Sequence, residues 1–260
     1  MSSQYESIKD ADLYPAYFRV VAPADLGERK MTPRKPGFFI ARGLEGATDA
    51  ELREAKAVKA EAAALATQSA PADAPTEPAV LSHQRLLVPA QWGLVPHWVK
   101  SASDGKLRAT KLVNVKSDNA STSTAFRDAW LNNQRCIVPM QAFVVDDFRN
   151  NGKPKPTRIA RVDGLPMGVA GIWARWQDPE DGSELLSYAI ITINANAHAL
   201  MNRYGQQGND KAMPAILNEG AYDAWLGSTA AKAKEFLRAY PAQKLLANPV
   251  EKGRKNPLGI

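Results

Sequence analysis

Residue types able to do bond-making chemistry are sparse in this chain of 260 residues. A single cysteine, Cys136, rules out an intramolecular disulfide and every zinc site built from two to four thiolates. The three histidines, His83, His97 and His198, lie too far apart in sequence to form a local metal motif, so neither a metal nor a cofactor is expected. No Gly-rich phosphate loop ending in Lys-Ser/Thr, no G-x-S-x-G elbow and no H-E-x-x-H is present. The run Gly168-Val169-Ala170-Gly171 lacks a third glycine and a following helix start, so it reads as strand packing. None of the histidines is assigned a catalytic role on sequence grounds.

Charge is more informative than nucleophiles. Residues 1–83 carry 10 basic and 12 acidic side chains, residues 84–161 carry 13 and 5, and residues 162–260 carry 10 and 10. The whole positive excess therefore lies in the middle third, which also holds Trp92, Trp98, Phe126 and Trp130. A basic field interleaved with aromatics suits a polyanion whose bases stack, as single-stranded nucleic acid does. The competing reading is a solvated surface over core aromatics.

The elements that would position these groups are short. Residues 49–67 are rich in Ala, Glu and Lys and predict an exposed helix; residues 68–79, with three prolines, read as a flexible linker. Together they form an insertion, because apolar sequence resumes on both sides. Strands are predicted at 85–89, 111–115, 136–139, 142–145, 157–162, 167–173 and 188–193. Helices are predicted near 8–20, 122–132 (capped by Thr124), 196–203, 219–227 and 229–239. Short strands without βαβ alternation indicate an α+β fold, with a curved, barrel-like sheet surrounded by helices in a single domain. That domain is placed at 1–240, interrupted by the insertion at 48–80. Residues 241–260 are placed as a C-terminal extension ending in a basic tail. The N-terminal stretch lacks a signal peptide's basic and apolar regions, and no run approaches the ~18 apolar residues of a membrane helix. A cytoplasmic, membrane-free protein is expected, associated with the nucleoid when bound to DNA.

Seven segments carry a resemblance: WGLVPHW (92–98), NVKSD (114–118), FRDAW (126–130), RCIVPMQAF (135–143), GIW (171–173), ITINANAH (191–198) and KAMPAIL (211–217). In this order and spacing they resemble the SRAP family, the SOS-response-associated peptidases or abasic-site processing proteins. The resemblance implies a positively charged groove for single-stranded DNA. It also implies an N-terminal cysteine, freed by removal of Met1, that closes a thiazolidine with the abasic aldehyde. An Asn, an Arg two positions on, a Glu, and a His before Met-Pro assist in that family.

This chain departs from the pattern. Ser2 stands where the resemblance places the cysteine, and Gln4 where it places a phosphate-binding Arg. Asn114 matches the Asn, but Lys116 replaces the Arg. Val145 holds the Glu position, with Asp146 and Asp147 beside it. No histidine occurs in 202–212, where Tyr204 or Asp210 is the nearest candidate. The catalytic candidates are therefore Ser2, Asn114 and Tyr204. The DNA-binding candidates are Gln4, Pro36, Trp98, Lys116, Arg127, Thr192 and Lys211, with Lys100, Lys106, Arg108 and Lys111 available to track phosphates. A serine hydroxyl is a far poorer nucleophile than a thiolate near neutral pH, so thiazolidine-type crosslinking is expected to be lost or weakened.

Three readings follow. The first is a SRAP-fold protein binding single-stranded, junction or abasic-site DNA in the DNA damage response, a pseudoenzyme. The second is an active enzyme forming an imine through the Ser2 α-amine. The third is a scaffold whose insertion at 48–80 contacts a protein partner. A monomer is expected.

Overall fold

The computed structural model describes residues 4–42, 84–149 and 152–250. Ser2, the expected helix and linker of the insertion, and the basic tail at 251–260 lie outside the described residues. In chain order the strands are β1 (Tyr5–Glu6), β2 (Lys30–Met31), β3 (Pro36–Arg42), β4 (Arg85–Trp92), β5 (Asn114–Lys116) and β6 (Arg135–Met140). They continue as β7 (Ala142–Asp147), β8 (Lys155–Arg161), β9 (Met167–Gln177), β10 (Glu184–Asn194), β11 (Ala212–Pro214) and β12 (Leu245–Pro249). The α-helices are α1 (Ala102–Lys111), α2 (Arg127–Leu131) and α3 (Tyr222–Leu226).

Five strands close on themselves in the order β10-β4-β3-β6-β9, with β9 pairing back to β10. The β10–β4 contact is parallel and the other ladders of the ring are antiparallel. Closure removes the free edges that an open sheet would expose. The C-terminal half of β10 also pairs with β5 in parallel and with β11 in antiparallel fashion, so it carries two short strands beyond the ring. A second sheet runs β12-β8-β7-β1-β2. This is the expected α+β barrel-like architecture.

Composition explains the barrel wall. β9 reads MGVAGIWARWQ and is buried along its first eight residues, so both of its faces are covered. The GVAG run sits inside it: a side chain at Gly171 would fall 2.8 Å from Cys136 Sγ and 2.9 Å from the Ala189 carbonyl oxygen. The two glycines are strand packing, as their sequence context indicated. Trp92 is buried, and its indole N–H donates to the Val113 carbonyl at 3.1 Å.

Pro36 and Gly37 begin β3, paired with Gln91 and Ala90. Several local expectations give way. The helix expected over 8–20 contracts to a π-helical turn, Tyr14–Phe18, opened by Pro15 and closed by Arg19 in the left-handed region. The predicted helices at 196–203 and 229–239 contract to 3₁₀ turns at Met201–Arg203 and Ala233–Phe236. The helix expected over 122–132 begins only at Arg127, with Phe126 rather than Thr124 at its N-cap. Lys111 ends α1 instead of opening a strand. The limit placed at 240 leaves out β12, whose five residues pair with β8 and whose Leu245 is buried. Finally, Arg42 is paired directly with Arg85, so the described ends on either side of residues 43–83 meet at one end of the β3–β4 ladder.

Candidate functional site

The site residues are best followed from β5. Strand alternation sets Asn114 and Lys116 on one face, with Val115 buried on the other. Lys116 pairs in register with Thr192 of β10. From the end of β5 a polar cavity of about 680 Å³ opens, lined among others by Lys116, Val145, Asp146, Tyr204, Asp210 and Lys211. Phe148, Gln206 and Asn209 complete much of the remaining wall.

The loop over this cavity is tied down at several points. Gly205 N–H donates to the Asp146 carbonyl at 2.8 Å, holding the loop against β7. Lys211 Nζ donates to the carbonyls of Gly205 (3.1 Å) and Gln206 (2.7 Å). Asn196 braces the other end: its Nδ2 donates to Asp210 Oδ1 at 3.3 Å and its Oδ1 accepts the Lys211 backbone N–H at 2.7 Å. Across the mouth, Lys116 Nζ stands 3.9 Å from Asp210 Oδ2, with both side chains more than half exposed (58% and 66%). Two cations and two carboxylates thus share one open site.

Some predicted residues serve packing instead. Tyr204 lines the cavity but is only 6% exposed, and the Arg149 guanidinium lies 5.4 Å from its ring centroid. Arg149 is held by Asp147 at 2.6 Å, and this hydrogen bond keeps the Asp147 carboxyl below its usual range. Thr192 is fully buried, and its hydroxyl donates to the Val115 carbonyl at 3.1 Å; it belongs to the sheet and not to a DNA-facing surface. Asp210, passed over in favour of Tyr204, is the acid at the cavity mouth. Asp146 also lines the cavity, although a one-residue offset from Val145 argued for the opposite face. The polar loop composition of 205–210 was the available cue to this wall.

Other candidates are elsewhere. Trp98 lines a separate cavity of about 200 Å³ with His97, Asp128 and Arg175. One face of its ring is already covered by the Arg108 guanidinium, 4.8 Å from the centroid. Arg127 pairs with Asp128 at 3.4 Å, beside that second cavity. Pro36 is exposed at a third hollow of about 410 Å³ with Arg34, Gln91 and Glu184. Gln4, where the described chain begins, accepts the Val144 N–H at 3.1 Å, one residue before Val145 of the site wall.

The basic middle third is less free than its count suggested. Arg85 pairs with Asp223, Arg158 with Glu6, and Arg161 with Asp163 and Glu219, all carboxylates from the other two thirds. Arg135 is buried between Trp130 (4.2 Å) and Trp225 (5.5 Å), and burial pushes its guanidinium down to about 10. Lys100, Lys106 and Lys111 are exposed.

Neither the thiol nor the described histidines supply a nucleophile or base to the cavity. Cys136 is fully buried, and burial pushes its thiol pKa up. His198 is committed on both nitrogens: Nδ1 accepts from the Leu200 and Met201 N–H groups, and Nε2 donates to the Tyr240 carbonyl at 2.7 Å. Among the described residues no group of three or more His, Cys, Asp or Glu could hold a metal, and no helix is long and apolar enough to cross a membrane.

A closed barrel with an open lysine- and aspartate-lined cavity beside it defines a mixed α+β protein with a polar site. The family model for SOS response associated peptidase (SRAP) matches residues 42–257, and the chain belongs to that family. It is 26% identical over 188 residues to the abasic site processing protein HMCES of Gallus gallus, covering 65% of this chain and 54% of that protein. It is 32% identical over 137 residues to the abasic site processing protein YoqW of Bacillus subtilis, covering 52% and 55%. The chain thus spans about half the length of the curated relatives it matches. Among solved structures, a protein from Bordetella bronchiseptica superposes with a TM-score of 0.74 at 30% identity, covering 96% of this chain and 100% of that one. A protein from Bacteroides thetaiotaomicron gives 0.57 at 26% identity, covering 64% and 70%.

Proposed function

We propose that this protein binds single-stranded DNA at abasic sites through the Lys116–Lys211 cavity, as part of a DNA damage response. One observation carries the reading. In a SRAP-family fold whose relatives are named for abasic-site processing, two lysines line a cavity of about 680 Å³. Lysines recognise phosphate as compact charges, without the two-pronged geometry of arginine, so binding is expected to be weaker and less directional than an arginine would give. Thiol crosslinking is absent from the reading, because Cys136 is sealed in the barrel and Ser2 replaces the N-terminal thiol.

Fluorescence anisotropy with a single-stranded oligonucleotide, with and without one abasic site, tests this across a salt series. Phosphate neutralisation requires log K to fall linearly with log salt. Tighter binding to the abasic strand supports site recognition; no salt-dependent binding to either strand sinks the proposal.

A second reading is favoured by the position of Gln4 beside the cavity wall. An α-amine at Ser2, freed by loss of Met1, would form an imine with the abasic aldehyde. Borohydride trapping, with intact mass to establish that Met1 is gone, decides it. The protein-partner role of residues 48–80 and a monomeric, cytoplasmic state remain proposals for pull-down, sedimentation and localisation experiments.

A further inference from the structure

We propose that Lys116 is itself a nucleophile, forming an imine with the abasic aldehyde and carrying the strand through β-elimination, with Asp210 moving the proton. The inference rests on the abasic-site reading above and places the imine on a side-chain amine, a different atom from the Ser2 α-amine of the second reading.

The two lysines of the cavity differ in what holds them. Lys211 Nζ donates to two backbone carbonyls, at 3.1 and 2.7 Å, and closes the loop it belongs to. Using it as a nucleophile would break the wall of the site. Among the described residues Lys116 Nζ has one ion-pair partner, Asp210 Oδ2 at 3.9 Å, and its side chain is 58% exposed at the cavity mouth. A primary amine there can add to a carbonyl, which a guanidinium at the same place cannot do. The carboxylate, 3.9 Å away, is within reach of the amine's proton through one bridging water. Its other oxygen is fixed by Asn196, so the acid is positioned by a neighbour that takes no part in the reaction.

The steps balance without a co-reactant other than water. The Lys116 ammonium passes a proton to Asp210, Nζ adds to C1′ of the open-chain aldehyde, and the carbinolamine takes that proton back as it loses water to give a protonated imine. The imine draws electrons from C2′, whose proton passes to Asp210. The C2′–C3′ double bond forms as the C3′–O bond breaks and the 3′ phosphate leaves. Water then hydrolyses the imine, returning the Lys116 amine and releasing an unsaturated aldehyde on the remaining strand.

The test uses the full chain and an oligonucleotide with one abasic site, trapped with borohydride and mapped by peptide mass spectrometry. The expected adduct lies on the peptide containing Lys116. Lys116→Arg, which keeps the charge and adds a two-pronged phosphate contact, should lower trapping at least ~10-fold while anisotropy affinity holds or rises. Asp210→Asn should still trap but cut the strand at least ~100-fold more slowly, within the ~10²–10⁴ range for loss of a proton-transfer group. An adduct on the N-terminal amine or another lysine, unchanged by Lys116→Arg, overturns the inference and leaves DNA binding intact. So does undiminished affinity with no adduct at all. Loss of binding by the unsubstituted protein instead overturns the abasic-site reading. Unchanged cleavage in Asp210→Asn removes that residue from the step.

Discussion

The hydroxyl oxygens of Tyr5 and Tyr188 meet at 2.5 Å, both inside the protein, one from the five-stranded sheet and one from the barrel. This contact staples the short β1 onto β10, and Tyr5 adds an edge-to-face contact with Trp92 at 4.9 Å. Replacing either tyrosine by phenylalanine strands the other hydroxyl in a dry site, a loss of about 1–3 kcal/mol. The double substitution removes both polar groups and should cost less than the two singles added. Urea denaturation of the three variants measures this coupling.

Alkali should unfold the protein. Burial raises the phenol pKa of Tyr5, Tyr188 and Tyr222, and pushes Tyr14 up to about 12. In the unfolded chain the same phenols ionise near ~10. Stability from these groups is therefore complete below about 10 and is lost as pH rises through their folded values. Thermal melts at a series of pH values should show Tm falling only above that point. A flat profile to about 12 would contradict the burial argument.

Arg85 and Asp223 join the start of β4 to α3. Nε and Nη2 of Arg85 meet the two carboxylate oxygens at 2.8 and 2.9 Å, and Nη1 donates to the Phe18 carbonyl at 2.9 Å. The arginine side chain is 8% exposed while the aspartate is 50% exposed. Asp223→Asn leaves a nearly buried guanidinium short of its charge partner and should cost about 2–3 kcal/mol, less than a fully buried pair. Arg85→Met, which removes the charge, should be milder. If both variants unfold at the same urea concentration, the pair contributes packing alone.

Gly93, in the Trp-Gly segment between β4 and the α1 region, has φ +112, and a side chain there would sit 2.1 Å from the Ala109 carbonyl oxygen of α1. Gly93→Ala should lose about 3 kcal/mol or more through strain and clash together. Circular dichroism of the soluble fraction checks it. A variant as stable as the parent would show that α1 is free to move away from the barrel.

Much of the barrel was legible. β9 and the core of β10 declared themselves as continuous apolar runs, because strands covered on both faces cannot alternate. α1 was not legible: Gly105 interrupts it, and its only buried residues are Gly105 and Ala109, so no apolar stripe marks its inner face. Its Ser101 cap, accepting the Asp104 N–H at 3.2 Å, was the signal left unread. The site was half legible. Lys116 and Lys211, both named among the DNA-binding candidates, line one cavity, whereas Trp98 lines another, since order along a chain does not report which loops meet in the fold. Charge counted by sequence third also misled, because Arg85, Arg158 and Arg161 find their carboxylates in distant segments.

That separation makes a contrast measurable. Lys116→Glu should weaken single-stranded DNA binding ~10-fold or more and flatten the salt slope by about one to two charges. Trp98→Ala, away from the cavity and with one ring face under Arg108, should change affinity less than ~3-fold, well short of the ~1–3 kcal/mol of a stacked base. The reverse ranking would relocate the DNA to the Trp98 face.

The pairing of Arg42 with Arg85 has a meaning for how this gene can change. The ladder between β3 and β4 already holds the two ends together, whatever lies between. The entropy of closing a flexible loop grows only logarithmically, about 0.6 kcal/mol for each doubling of its length. Codons can accumulate or vanish at this point with little penalty to folding, so the hairpin end is a natural growth point. It is also the position at which a reporter domain or recognition tag is best grafted into the chain.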